Sequence, residues 1–184
     1  KTAAAEARFN LVVVGRSVVA KDIAWAVDVV EAVRRHDPRY RLKIIGSDFH
    51  DTGSPAFMRY RDYANSALDR LDAAGGLIRF GRTEDVPAAL RDCGVIISSS
   101  VREGSPLSVL EGAASGAVPV VRDWPYFKRL DHGPRMLYPA DWVVDSVEEA
   151  ATAILEATAD EGTWREKSAA AREFALAEYD LTQV

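Results

Sequence analysis

The stretch Val95-Ile96-Ile97-Ser98, followed by Glu103-Gly104-Ser105-Pro106-Leu107-Ser108-Val109-Leu110-Glu111 and then by Val118-Pro119-Val120-Val121, reads as strand, loop, helix and strand. Its first and last pieces are short, solid apolar runs, as expected of strands buried on both faces of a parallel sheet. Parallel neighbours need a crossover, and the segment between these runs, closed by Ser115-Gly116, has the length and period of one helix. Ser105 is placed as N-cap of that helix, with Pro106 at its first position, where a missing N–H leaves nothing unpaired.

The same alternation runs outward in both directions. Residues 9–14, 42–46 and 77–80 read as further strands, and Leu137-Tyr138 as a short sixth. Ile23, Ala26, Val27, Val30 and Val33 form one helical stripe, and Phe57, Tyr60, Ala64, Leu68 and Leu71 another, started by Ser54-Pro55. Thr83 to Pro87 opens a shorter helix ending near Asp92. Capping boxes, Ser146 with Glu149 and Thr163 with Glu166, predict helices over 146–158 and 163–178. No repeat or internal linker divides the chain. The expectation is a lead-in over residues 1–8 and one domain over 9–184: α/β, a Rossmann-like three-layer α/β/α arrangement with a mainly parallel sheet.

Composition agrees with one globular domain: 184 residues, 48% hydrophobic and 28% charged. A net charge of -5 excludes broad nucleic-acid binding, which needs a basic face. No signal peptide or membrane span is visible, so the default expectation is a cytoplasmic protein. Cys93 is alone and reads as a buried thiol, not a nucleophile. His36, His50 and His132 are too scattered to form a metal cluster. The chain opens on Lys1 without an initiator methionine, which an excised piece of something longer and proteolytic processing explain equally well.

Open parallel sheets bind ligands beyond the carboxyl ends of their strands. Gly15-Arg16, Gly46-Ser47, Gly81-Arg82, the loop from Ser99 to Ser105, and Arg122-Asp123 all fall there. Arg16 and Lys21 supply two cations after the first strand, and the amides of Leu107 and Ser108 supply a helix N-terminus, so an anion such as phosphate fits. Glu103 and Glu111, eight residues apart, accept hydrogen bonds and repel phosphate; their natural partners are hydroxyl groups. A sugar and a ribose joined through a diphosphate satisfy both sets. Each feature also has a plainer reading: solvated loop charges, an ordinary helix start, and Asp22 as the next helix's N-cap. The dinucleotide fingerprint Gly-x-Gly-x-x-Gly, the phosphate-loop Gly-Lys-Ser and the Gly-x-Ser-x-Gly elbow are all missing.

Gly15-Arg16 with Lys21, Ile45-Gly46, Phe80-Gly81, and Glu103 to Glu111 followed by Gly112-Ala113-Ala114-Ser115-Gly116 and Val118 to Val121 together resemble the C-terminal, donor-binding domain of retaining glycosyltransferases of the GT-B fold, family 4. The likeness runs from about Asn10 to about Tyr179. It implies a donor site of Gly15, Arg16, Lys21, Gly46, Phe80, Gly81, Arg82, Glu103, Gly104, Ser105, Leu107, Ser108 and Glu111, with Arg16, Lys21 and Glu103 catalytic. Arg16 and Lys21 would hold the diphosphate of a UDP-, GDP- or ADP-sugar, Glu103 the sugar hydroxyls and Glu111 the ribose. The base would lie near Phe80-Gly81-Arg82. The resemblance implies no cofactor and no metal, the cations neutralising the charge. The implied partners are the donor, an acceptor, and an N-terminal GT-B domain absent from this sequence, without which the chain should not turn over. Two other readings stay open: a non-catalytic nucleotide-sugar-binding scaffold, and a sugar-nucleotide epimerase-like domain.

Overall fold

Five apolar runs of strand length become parallel strands, and a sixth strand joins them. The computed structural model describes residues 4–50, 53–104, 106–127 and 132–179. Asn10–Val14 (β1), Arg41–Ile45 (β2), Leu77–Gly81 (β3), Val95–Ser98 (β4), Val118–Arg122 (β5) and Val143–Val144 (β6) form one sheet in the order β3-β2-β1-β4-β5-β6. Every neighbouring pair is parallel. This is the doubly wound order, and it reverses direction between β1 and β4.

Two helical layers follow from the buried faces. Ile23–Arg34 (α1) packs between Pro55–Ala73 (α2) and Val147–Ala157 (α5) on one side of the sheet. Being central in its layer, α1 buries more than the expected stripe, adding Ala24, Trp25, Val29 and Ala32. Val86–Leu90 (α3), Leu107–Ala114 (α4) and Glu161–Tyr179 (α6) lie on the other. Gly112 lets α4 close on β4, since a Cβ there would stand 2.8 Å from the Ile96 Cβ.

Several boundaries differ from the sequence expectation. The sixth strand is Val143–Val144, not Leu137-Tyr138. Pro134 opens a 3-10 turn over Pro134–Met136 and Pro139 precedes another over Ala140–Trp142, so the backbone between two prolines cannot run extended into the sheet. Tyr138 instead buries its ring beside Trp142, 6.0 Å away, and donates its O–H to the Pro106 carbonyl. The last helix starts at Glu161, two residues before the expected start at Thr163. Asp160 is its effective cap, accepting from the Thr163 amide at 2.9 Å and hydroxyl at 2.7 Å. α4 begins at Leu107 with Pro106, not Ser105, in the N-cap position. Ser105 lies outside the described residues. Phe9, expected to open the first strand, ends a 3-10 turn over Ala5–Phe9 instead, and it and Ala7 are buried in the core. Among the described residues no helix is long and apolar enough to cross a membrane.

Candidate functional site

Where the strand order reverses, the loops leaving β1 and β4 turn to opposite faces and leave a crevice between them. Those two loops carry the cations and the first carboxylate singled out above. They are stitched together: the Ser99 hydroxyl donates to the Lys21 carbonyl at 2.6 Å, and the Val101 amide to the Ala20 carbonyl at 2.9 Å.

The side chains then meet. Lys21 Nζ bonds Glu103 Oε1 at 2.5 Å, and the Ser100 hydroxyl donates to the same oxygen. Glu103 keeps only 10% of its side chain exposed. Its other oxygen, Oε2, has no partner among the described residues, so the carboxylate is oriented through one oxygen and open at the other. The ammonium has three N–H groups, of which this pair uses one. Arg16 is exposed and makes no hydrogen bond or ion pair among the described residues.

The ends of β1, β2 and β3 touch as well. The Gly15 amide donates to the Ile45 carbonyl and the Gly46 amide to the Gly81 carbonyl, each at 2.9 Å. Gly46 sits at φ +149°, and a Cβ there would fall 1.8 Å from the Gly15 carbonyl oxygen. Only glycine permits this approach. Phe80, Gly81 and Arg82 follow along the same edge, all exposed. The Lys43 ammonium stands 4.6 Å from the Phe80 ring centroid. Lys43 itself is buried in β2, bonded to the Ala89 carbonyl and to Asp92, each at 2.7 Å.

Near the start of α4, Gly104 and Leu107 are exposed and Ser108 half-buried; Glu111 is exposed and has no side-chain hydrogen bond among the described residues. The amides of Leu107 and Ser108 lie in the first turn, where no intrahelical acceptor exists.

Asp22 stands at the N-cap position of α1, but its side chain does not cap the helix. It adopts a left-handed conformation, φ 39° and ψ 61°, and makes no side-chain cap bond. Its carboxylate accepts instead from Arg122 at 2.6 Å and from the Tyr60 hydroxyl at 3.0 Å. Arg122 also lies 5.1 Å from the Trp25 ring centroid and donates to the Ser99 carbonyl. Burial, then the Asp22 charge, pushes the Tyr60 phenol well above its ordinary range. The negative charge beside Lys21 is thus compensated by β5. Sequence reasoning placed Ser99, Ser100 and Arg122 at the strand ends without giving them a role, read Tyr60 only as part of a helical stripe, and missed Lys43, whose only signal was its position in β2.

A hollow of about 250 Å³ opens beside this crevice, with Glu103, Gly104, Trp124, Phe127, Met136 and Leu137 among its walls. A roomier one of about 430 Å³, walled by Phe9, Arg39 and Arg41, lies where the strands begin, away from these groups. Cys93 is no nucleophile: burial pushes its thiol up to about 12. Among the described residues no three His, Cys, Asp or Glu side chains gather as a metal site.

A family model described as "Glycosyl transferases group 1" matches residues 8–160. No curated protein matches significantly. Among solved structures, a TarM variant from S. aureus, in complex with fondaparinux, alpha-GlcNAc-glycerol and UDP, is 19% identical with a TM-score of 0.77, over 96% of this chain and 34% of that one. HepE from Anabaena, with UDP and glucose, is 15% identical with a TM-score of 0.74, over 95% and 45%. The C-terminal domain of LpcC, a glycosyl transferase group 1 family protein from Francisella tularensis, is 14% identical with a TM-score of 0.70, over 94% and 86%. The chain therefore spans about a third to a half of the first two proteins and most of the isolated C-terminal domain.

Proposed function

This chain belongs to the group 1 glycosyl transferases, and from that membership we propose that it is the donor-binding domain of a retaining enzyme that moves a hexose from a nucleoside diphosphate to an acceptor. The observation that carries the reading is the meeting of the Lys21 loop and the Glu103 loop at the point where the sheet order reverses.

The parts divide the work. Arg16, free to swing its fork onto phosphate oxygens, and the two unused N–H groups of Lys21 take the diphosphate, with the Leu107 and Ser108 amides. Glu103 Oε2 accepts from a hydroxyl of the sugar, Glu111 from the ribose, and the base lies along Phe80-Gly81-Arg82. As the bond from the anomeric carbon to the diphosphate oxygen breaks, its electron pair leaves with the diphosphate. Arg16 and Lys21 stabilise the growing charge, an effect worth roughly 2–4 kcal/mol for one preorganised donor. A second domain carries the acceptor, and this chain alone binds donor without turnover.

Calorimetric titration with UDP-glucose, GDP-mannose, UDP-N-acetylglucosamine and ADP-glucose tests this. At least one should bind, and Arg16→Ala should weaken it roughly tenfold or more, the loss of a hydrogen bond to a charged group. If no donor binds wild type better than Arg16→Ala, the reading is wrong.

A further inference from the structure

We infer that Ser100 is a positioning residue of the donor site: it fixes the Glu103 carboxylate, so that one oxygen stays available to a hydroxyl of the donor hexose while Lys21 is engaged with the diphosphate. This rests on the donor reading above. Ser100 lies just past β4 and is 1% exposed. At that burial it does not reach a ligand, so whatever it does for the reaction it does through a neighbour. A buried hydroxyl is costly unless hydrogen-bonded, and the Ser100 hydroxyl donates to Glu103 Oε1. The chain on either side of it is tied down, the Ser99 hydroxyl to the Lys21 carbonyl at 2.6 Å and the Val101 amide to the Ala20 carbonyl at 2.9 Å. Ser100 therefore offers its hydrogen from a set place.

Glu103 Oε1 has two donors of unlike kind. Lys21 Nζ, 2.5 Å away, is charged and belongs to a side chain still 24% exposed, and its remaining N–H groups are those assigned to the diphosphate. A bound diphosphate draws the ammonium by its negative charge, and the hold of Lys21 on the carboxylate weakens. The Ser100 hydroxyl is neutral and shut off from solvent, so its hydrogen bond to the carboxylate persists, strengthened by the carboxylate charge. Lys21 thus serves two anions, and Ser100 serves Glu103 alone. Without Ser100 the carboxylate turns about its last torsion, a broad two-fold rotation, and no longer keeps Oε2 in one place.

Calorimetry on the chain measures two affinities for each variant, one for a nucleotide sugar and one for its nucleoside diphosphate. The probes are UDP-glucose, UDP-N-acetylglucosamine, GDP-mannose and ADP-glucose, with UDP, GDP and ADP. The ratio of the two affinities isolates what the sugar contributes. Ser100→Ala should weaken a nucleotide sugar on the order of tenfold and the nucleoside diphosphate less than about twofold, as for one lost hydrogen bond to a charged group beside the sugar alone. Glu103→Ala should lower the ratio at least as far, and Ser100→Ala added to it should change the ratio by less than about twofold, because nothing is left to position. Should Ser100→Ala fail to fold, Ser100→Cys fills the site with a weak donor and should also lower the ratio. Equal weakening of sugar and diphosphate, the result of a serine that only stabilises the loop, would overturn the inference. So would an unchanged ratio, or full additivity with Glu103→Ala. The donor reading fails separately. If no nucleotide sugar and no nucleoside diphosphate binds wild type, the whole site is lost. If only the diphosphates bind, the sugar contact of Glu103 falls and the role of Ser100 with it, while the diphosphate site stands.

Discussion

Replacing Asp22 asks whether the crevice is held open by a charge network or by backbone shape. Asp22 is the sole non-glycine with positive φ among the described residues, so Asp22→Gly removes a side chain from a conformation that glycine prefers. The relief is on the order of 1 kcal/mol, largely cancelled by glycine's extra unfolded-state entropy of roughly 0.5–1 kcal/mol. Against that stands the lost carboxylate. Arg122 and Asp22 keep only 17% and 20% of their side chains exposed and are 2.6 Å apart. Breaking a fully buried pair costs about 3–5 kcal/mol and an exposed one about 0–1. With Arg122 still near Trp25 and the Ser99 carbonyl, about 2 kcal/mol is the intermediate expectation, and an unsatisfied Tyr60 hydroxyl adds about 1. Asp22→Gly should therefore lose about 2–4 kcal/mol. Asp22→Asn tolerates the left-handed region and keeps one oxygen for Tyr60, losing the charge and the oxygen that accepts from Arg122, about 2 kcal/mol. Urea denaturation at neutral pH gives the order wild type, Asn, Gly. A glycine variant as stable as wild type, or more stable than the asparagine variant, would refute the network.

Other perturbations probe single contacts. A double-mutant cycle of Lys21→Met and Glu103→Gln should return a coupling of about 1–3 kcal/mol in denaturation, because the pair is mostly buried; a coupling near zero means that the pair does not form. Gly46→Ala should destabilise by more than about 3 kcal/mol, with soluble yield and melting as readout, since its Cβ overlaps the Gly15 carbonyl; a change below about 1 kcal/mol contradicts the close approach. Cys93 should resist alkylation at pH 8 in the folded state. Because folding raises its thiol from 9.0 to about 12, the unfolded chain ionises first. Stability is full below pH 9 and falls between pH 9 and 12, and Cys93→Ala should flatten that part of the pH profile.

The elements were legible where local rules act alone. Apolar runs bounded by glycine became β1 to β5, and Ser54 and Ser146 cap the helices that they were expected to start. Where two local rules compete, one residue decides: Asp160 and Thr163 both suit an N-cap, and the aspartate, one turn earlier, adds that turn to α6. The two-residue strand Val143–Val144 carries too little periodicity to read, while prolines on either side disqualify Leu137-Tyr138. In the crevice, the sequence brought Arg16, Lys21, Glu103 and the start of α4 to one edge. It could not show that Lys21 and Glu103 pair, or that Arg122, 100 residues away, neutralises Asp22. Such pairings depend on which strands adjoin, and the placement of β4 beside β1 is a property of the assembled sheet.

Amide NMR of the chain titrated with UDP, GDP and ADP tests the central claim, that the crevice between β1 and β4 is a nucleoside-diphosphate site. At least one nucleotide should shift the amides of residues 15–21, of Leu107 and Ser108, and of Phe80 to Arg82 together. Shifts confined to the opposite edge around Arg39 and Arg41, or no shifts with any of the three, would contradict it.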